Sequence, residues 1–292
     1  MKIPKISIII PTYNMARFLP DCLGTLRRQN YQNLELIIVD GLSTDNISEI
    51  VEANRDIVDI FISEPDQGQG DAVTKGLRIA TGDICHWHAA DDIFMPNALD
   101  HVAEAFNRNP QIDLLISDGW AFDTHHIVRT GKCRWISYER SLFFKGRFQS
   151  DCAYWRREIT HNALPLDIEK PLTVDEDFFL RLWNGRPHLW LSEPLGAFRM
   201  HGEQVSQTVD RSVVWMDRHQ TRKRIFEEKS ITDTDAAVAR KRLFSEYILY
   251  DLILPRVTDM GDKFMRMVHR DLNRRRFHKW LMNEWIGGAR NV

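Results

Sequence analysis

Segments with strand-like and helix-like patterns alternate through the first 120 residues, and this alternation constrains the fold more than any other feature. Between the strand-like runs, apolar residues recur at helical spacing, as in Phe18, Cys22 and Leu26. Strands separated by helices at this interval are typical of βαβ units. We therefore predict an α/β fold with a mostly parallel sheet flanked by helices. The predicted buried strands, rich in β-branched and aliphatic residues, are 5–10, 34–40, 58–63, 84–90 and 112–117.

The alternation ends near Trp120. The next fifty residues hold many aromatic residues among basic ones without a clear period, and beyond about Gln207 the sequence is helical and charged. A chain of 292 residues is long enough for one large domain with an appendage. We predict a domain over 1–210, with halves of about 1–120 and 121–210, and a helical C-terminal extension over 211–292.

Composition excludes several classes of protein. Hydrophobic residues make up 43% and charged residues 27%, which fits a soluble globular protein. The formal net charge of −2 provides no overall field for nucleic acid. The cysteines show no paired spacing that would indicate zinc or disulfides. The chain begins directly with a strand, and no apolar stretch is long enough to span a bilayer, so we expect a cytoplasmic protein.

Three of the predicted strands end in acidic residues. These are Asp40, the segment Glu64–Asp66 and the pair Asp91–Asp92. The carboxyl ends of parallel strands share one edge of a sheet, where α/β proteins bind ligands. Like charges raise each other's pKa unless a cation compensates them, and Mg²⁺ or Mn²⁺ suits carboxylates and substrate phosphates. We predict a site for a metal-bound phosphate ligand; the alternative is that these aspartates only cap helices.

A set of short motifs follows in order along the chain. The motifs of the first half are Pro11–Asn14, Ile37–Asp45, Ser63–Ala72, Lys75–Gly76, Ala80–Asp83, Asp91–Asp92 and Pro96, and those of the second half are Asp175–Leu182 and Phe198–His201. Taken together and in this order, they resemble family 2 glycosyltransferases with the GT-A (Rossmann-like) fold.

The resemblance implies a role for each matching position. Asp92 and His201 would hold Mn²⁺ or Mg²⁺, and Asp175 would be the catalytic base, with Asp177 as its rival. Val174 precedes Asp175 where the family commonly has glutamate. The residues expected to bind the donor nucleotide are Pro11, Thr12, Tyr13, Asp40, Asp66, Gly70, Lys75 and Asp91.

The implied activity is inverting transfer of a sugar from a nucleoside-diphosphate sugar, with UDP favoured, to a hydroxyl acceptor. The acceptor would be a saccharide or lipid-linked saccharide in bacterial polysaccharide or lipopolysaccharide assembly. Gln149, Trp155 and Arg156 fall where the family builds acceptor surfaces, since tryptophan stacks on sugars and arginine holds phosphate. The alternative is that Trp155 belongs to the core and the arginine is solvated.

Two other functions remain open at this point. His86 and His88 share one face of a strand, so both imidazoles could meet one metal ion in a metal-dependent hydrolase. However, Asp91 and Asp92 are offset from the usual ligand pattern of such enzymes. A non-catalytic protein that binds nucleotide sugars is the second alternative.

The C-terminal extension contains a basic amphipathic segment. Apolar residues from Phe264 to Trp285 gather on one helical side, while lysines and arginines crowd the other. Such a helix can lie in the interface of an anionic membrane, which predicts peripheral contact with the inner face of the cytoplasmic membrane. The alternative is a helix packed on the domain with a solvated basic face.

Overall fold

A computed structural model describes residues 3–130, 138, 150–169, 172–204 and 211–229. Within these ranges, nine strands form one sheet that helices flank. The strands are Ile6–Thr12 (β1), Leu34–Asp40 (β2), Ile60–Ser63 (β3), Ile84–Trp87 (β4), Ile93–Phe94 (β5), Leu114–Phe122 (β6), Ile127–Thr130 (β7), Ala153–Arg156 (β8) and His188–Arg199 (β9). The helices are Leu19–Arg27 (α1), Ile47–Glu52 (α2), Gln69–Ile79 (α3), Ala98–Arg108 (α4), Val174–Trp183 (α5) and Arg211–Glu228 (α6).

The sheet has a parallel half and a mixed half. Its order is β3-β2-β1-β4-β8-β6-β9-β5, with β7 beside β6. The first four strands in this order are parallel, as the βαβ pattern predicts. β8 then runs antiparallel to both of its neighbours, and β9 is parallel to β6.

The parallel half brings the predicted acidic loops to one edge. Thr12 pairs with Asp40, and Asp40 pairs with Ser63, so β1, β2 and β3 end side by side. Ile9 pairs with Trp87 at the end of β4, so the turn that contains Asp92 emerges at the same edge. The register therefore places the ends of four strands next to one another.

Alternate side chains of β1 enter two separate cores. Ile8 and Ile10 pack with residues of α1 and α4, while Ile9 packs on the opposite face with residues of α3 and α5. Ile225 of α6 is buried in this second core. The described part of the predicted C-terminal extension thus packs against the sheet domain.

One long strand dominates the second half of the domain. Two separate apolar stretches of the sequence, 189–191 and 195–198, both belong to β9. Exposed Ser192 and Glu193 interrupt its apolar pattern, and its pairing with β6 shifts register between Ser117 and Gly119. A long strand with such an irregularity loses the alternation that would reveal it.

Two predictions concern residues outside the described ranges. The basic amphipathic helix between Phe264 and Trp285 and the acceptor residue Gln149 both lie there. Of the helices in the described ranges, none combines the length and the apolar character needed to cross a membrane.

Candidate active site

A cleft of about 740 Å³ opens at the edge where the parallel strands end. Its other wall comes from the second half of the domain and includes Asp167, Ile168 and Val174. Six of the eight predicted nucleotide-binding residues line it: Pro11, Thr12, Tyr13, Asp66, Gly70 and Asp91. The fold therefore gathers motifs that are far apart in the sequence into one concave site.

One wall of the cleft presents exposed apolar surface. Tyr13 is 59% exposed and Leu42 is 53% exposed, and both line the cleft. Leu42 has a φ of +62°, in the left-handed region that branched side chains rarely adopt. An aromatic ring and an aliphatic side chain on one wall form a surface for a flat, partly apolar group such as a nucleobase.

Asp40 and Lys75 support the cleft from outside its lining. Asp40 is 1% exposed, and its carboxylate accepts hydrogen bonds from the Ser43 amide at 3.1 Å and the Ser63 hydroxyl at 2.7 Å. It thereby fixes the turn that carries Leu42. Lys75 Nζ donates to the Pro65 carbonyl oxygen at 2.9 Å and so holds the loop before α3.

Asp91, which lines the cleft, belongs to a group of three neighbouring carboxyl groups with the buried Asp92 and Asp151. Burial raises the pKa of Asp92 well above its usual value, and the charges of Asp91 and Asp151 raise it further. Burial also raises the pKa of Asp151 to about 7. Asp151 Oδ1 is buried without a hydrogen-bond partner among the described residues. The cluster is therefore short of positive charge.

Arg199 and His201 hold the two adjacent aspartates in place. The backbone amide of Arg199 donates to Asp92 Oδ1 at 2.8 Å, and the side-chain Nε of Arg199 donates to the Asp91 carbonyl oxygen at 2.8 Å. The same guanidinium pairs with buried Asp21 at 2.9 Å. His201 Nε2 lies 2.9 Å from Asp91 Oδ2, and the ring packs on Phe18 with centroids 4.4 Å apart.

The residues of this cluster fit a hard divalent cation. His201 Nδ1 is buried and has no hydrogen-bond partner in the described part of the chain, while the carboxylate on its other nitrogen orients the ring. Among the described residues, no group of three or more His, Cys, Asp or Glu side chains could hold a metal ion. Mg²⁺ and Mn²⁺ do not require one, since one or two carboxylates and substrate phosphates suffice.

The two candidate bases have different surroundings. Asp175 is half-buried in the first turn of α5, directly after the cleft residue Val174, and its Oδ1 accepts the Glu176 amide at 2.8 Å. Asp177 is fully buried and forms ion pairs with Arg181, at 2.8 Å, and with an arginine of α6. The structure contradicts Asp177 as the rival base, because its carboxylate is fully buried and each of its oxygens forms an ion pair with an arginine.

Trp155 and Arg156 do not form an acceptor surface. Trp155 is fully buried in the second core, and its Nε1 donates to Thr160 Oγ1 at 2.9 Å. Arg156 pairs with Ile84 at the start of β4, the sheet edge opposite the cleft, and donates to the Ile112 carbonyl oxygen. The acceptor prediction fails for both because β8 is antiparallel to β4, and the core alternative for Trp155 is confirmed.

His86 and His88 do not form the site that a hydrolase would need. Both are fully buried, with His86 Nε2 3.2 Å from His88 Nδ1 and His86 Nδ1 2.8 Å from the Ala153 carbonyl oxygen. Burial lowers the pKa of His86 to about 3 and that of His88 well below its usual value. The rings stack on Tyr154 and Phe94, so the pair is a neutral part of the core.

Sequence reasoning missed several residues of the site. Asp151 and Asp167 lie in the stretch without periodicity, where no motif marked them. Asp21 lies among the helically spaced residues Phe18, Cys22 and Leu26 and drew no attention, yet it is 1% exposed and pairs with Arg199. Arg199 could have been identified from the sequence, since it lies within the motif Phe198–His201.

Solved structures share this architecture. S. aureus TarS in complex with UDP-GlcNAc has a TM-score of 0.66 and 17% identity, covering 88% of this chain and 76% of that chain. A mannosyltransferase from Pyrobaculum calidifontis in complex with GDP-Man and Mn²⁺ has a TM-score of 0.50 and 16% identity, and the match covers 99% of this chain and 86% of that chain. The TarS match confirms the predicted GT-A-like α/β fold.

Sequence comparisons identify the family. A PGL/p-HBAD biosynthesis glycosyltransferase from Mycobacterium tuberculosis is 32% identical over 191 residues, which cover 63% of this chain and 72% of that protein. An uncharacterised glycosyltransferase from Rickettsia conorii is 31% identical over 228 residues, covering 72% of this chain and 37% of that protein. The family model described as "Glycosyl transferase family 2" matches residues 7–162, more than half of the chain. The chain belongs to this family and is a glycosyltransferase.

Proposed function

We propose that this protein transfers a sugar from a nucleoside-diphosphate sugar, with UDP favoured, to a hydroxyl acceptor with inversion of configuration. One observation carries the proposal: a single cleft joins the apolar wall of Tyr13 and Leu42 to Asp91, whose neighbour in the chain is the buried Asp92. A nucleoside diphosphate has the matching sequence of groups, a flat base, a polar ribose and an anionic diphosphate.

The donor would lie along the cleft in that order. Tyr13 and Leu42 contact the base, Asp91 accepts hydrogen bonds from the ribose, and Asp92 with His201 would hold Mn²⁺ or Mg²⁺. When bound there, the ion would supply positive charge that stabilises the departing diphosphate. The solved complexes of TarS with UDP-GlcNAc and of the archaeal mannosyltransferase with GDP-Man and Mn²⁺ support this type of donor and ion.

Asp175 is the proposed catalytic base. It accepts the proton of the acceptor hydroxyl while that oxygen bonds to the anomeric carbon and the bond from this carbon to the diphosphate oxygen breaks. One displacement inverts the anomeric configuration. Its location next to Val174, in the first turn of a helix that begins at the cleft, supports this role.

The proposed acceptor is a saccharide or lipid-linked saccharide of the bacterial surface. The relative named as a PGL/p-HBAD biosynthesis glycosyltransferase supports a role in a biosynthetic glycosylation of this kind. We propose that the protein works at the inner face of the cytoplasmic membrane, through peripheral contact of its basic C-terminal segment with anionic lipid. Salt-sensitive sedimentation with anionic liposomes tests this contact, and equal binding after deletion from Met260 would contradict it.

A donor screen tests the activity. UDP-, GDP- and dTDP-sugars are incubated with Mn²⁺ and simple saccharide acceptors, while release of nucleoside diphosphate is measured and NMR determines the anomeric configuration of the product. We expect release from one nucleotide class and an inverted product. A product that retains the donor configuration would contradict single displacement. Metal-dependent binding without transfer to any acceptor would favour the non-catalytic alternative.

A further inference from the structure

One arginine of α6 joins two acidic residues from different parts of the cleft region. Arg224 Nη1 donates to Asp167 Oδ2 at 2.7 Å, and its Nη2 donates to Asp177 Oδ1. Asp167 lines the cleft, whereas Asp177 is a fully buried residue of α5. Arg224 therefore connects α6 both to the cleft wall and to the helix that carries Asp175.

The backbone that leads to Asp167 is held by separate bonds. Arg181 Nη1 donates to the Ala163 carbonyl oxygen at 2.7 Å, and the Leu166 amide donates to Thr74 Oγ1 at 3.0 Å. These contacts fix the course of the chain, while the guanidinium of α6 fixes the Asp167 carboxylate. Arg224 can be changed while these two backbone bonds keep their own donors and acceptors.

The Asp167 carboxylate belongs to a cleft that already contains other acids. Asp66 and Asp91 line the same cleft. A carboxylate without a partner in this wall would repel an anionic ligand, because charges in a partly buried site are weakly screened. The ion pair with Arg224 compensates the Asp167 charge.

We propose that Arg224 is a positioning residue of the cleft, which holds and neutralises Asp167 so that the cleft accepts an anionic ligand. The inference rests on the proposed function for the identity of that ligand, a nucleoside diphosphate. It gives α6, which is remote in sequence from the nucleotide-binding motifs, a direct part in donor affinity. Lysine cannot fully replace this arginine, since a guanidinium binds two carboxylates at fixed angles whereas an ammonium is a compact point charge.

Calorimetric titration of UDP, GDP and dTDP with Mn²⁺ tests the charge argument. We expect Arg224→Gln to weaken binding about five- to tenfold. Adding Asp167→Asn to this variant should restore most of the lost affinity. The affinity of Arg224→Lys should lie between those of Arg224→Gln and wild type. Lys223→Gln is the matched control on the same helix, since Lys223 is 69% exposed and pairs only loosely with Glu227, at 3.8 Å. We expect it to bind like wild type.

Two results would overturn the proposal. If the Arg224→Gln/Asp167→Asn variant binds as weakly as Arg224→Gln, the uncompensated charge of Asp167 is not the cause. A second measurement needs no ligand: amide exchange of residues 167–169, which follow the backbone anchored through Leu166, should be faster in Arg224→Gln than in Lys223→Gln, and equal rates would contradict the positioning role. Failure of wild type to bind any nucleotide would refute the proposed function, while the exchange comparison would still decide the role of Arg224.

Discussion

Asp175 and Asp177 are two residues apart on α5, yet their neighbours give them different properties. Asp177 is surrounded by two guanidinium groups and is fully buried. Asp175 is half-buried beside the cleft residue Val174. Sequence alone left both as candidate bases, since the choice depends on arginines 4 and 47 residues further along the chain.

The first prediction separates these two aspartates. Asp175→Asn should lower the transfer rate at least about a hundredfold, since general-base catalysis contributes on the order of 10² to 10⁴. Its thermal unfolding and its nucleotide affinity should stay close to wild type. Asp177→Asn should instead lower the free energy of unfolding, because two arginines lose their charged partner. Measured kcat values and denaturant unfolding of both variants check this, and full activity in Asp175→Asn would contradict the assigned base.

Glu35 shows how one buried carboxylate stabilises the parallel half of the sheet. It is 5% exposed and accepts hydrogen bonds from Lys5 Nζ at 2.6 Å, from the Ser7 hydroxyl and from the Thr81 amide at 2.8 Å. Burial alone would raise the pKa of Glu35, but these bonds outweigh it and lower the pKa to about 2. The ionised form is therefore bound more strongly in the folded protein than in the unfolded chain.

The second prediction concerns pH. Because the folded pKa of Glu35 is lowered from 4.5, its stabilising contribution is complete above pH 4.5 and is lost as the pH falls towards 2. Glu35→Gln should lower the free energy of unfolding at neutral pH by about 1–3 kcal/mol. The difference in the free energy of unfolding between Glu35→Gln and wild type should shrink in acid. Urea titrations at several pH values measure this difference. Glu52→Gln is the exposed control, and a gap that is constant with pH would contradict the assignment.

At the scale of elements, close approach between β9 and a short turn brings Asp151 to the site. A Cβ atom added to Gly196 would lie 2.6 Å from Asp151 Oδ2 and would overlap the Asp151 carbonyl oxygen. Glycine is thus needed in this strand because the backbone of the 3-10 turn Ser150–Cys152 packs directly against it.

The third prediction follows from this contact. Gly196→Ala should destabilise the protein by about 1–3 kcal/mol, since the overlap with a backbone atom forces the strand or the turn to move. It should also weaken metal-dependent nucleotide binding, because Asp151 lies beside Asp92. Gly202→Ala is the control, since a Cβ atom there meets nothing within 4 Å. Thermal unfolding of both variants decides the point, and equal stability would contradict the close packing.

At the scale of the molecule, local signals explain why one half of the fold could be predicted. Strands β1, β2 and β3 are runs rich in isoleucine, leucine and valine that end in polar loops, and consecutive strands from β1 to β4 are linked by one helix each. The second half depends on pairing between distant segments, as in the parallel contact of β6 with β9. No local pattern reports such pairing, and for this reason the sequence left Trp155 open between an acceptor surface and the core and did not mark Asp167.

The central claim is that the carboxylate edge of the cleft binds a nucleoside diphosphate through a divalent cation. Calorimetric titration of UDP, GDP and dTDP, with Mn²⁺ or with EDTA, on wild type and Asp92→Asn tests it most directly, with circular dichroism to show that the variant is folded. We predict that one nucleotide binds wild type with Mn²⁺, and that EDTA or the substitution weakens binding at least about tenfold, or ~1.4 kcal/mol. Equal affinity under all these conditions, or no binding of any nucleotide to folded wild type, would contradict the account.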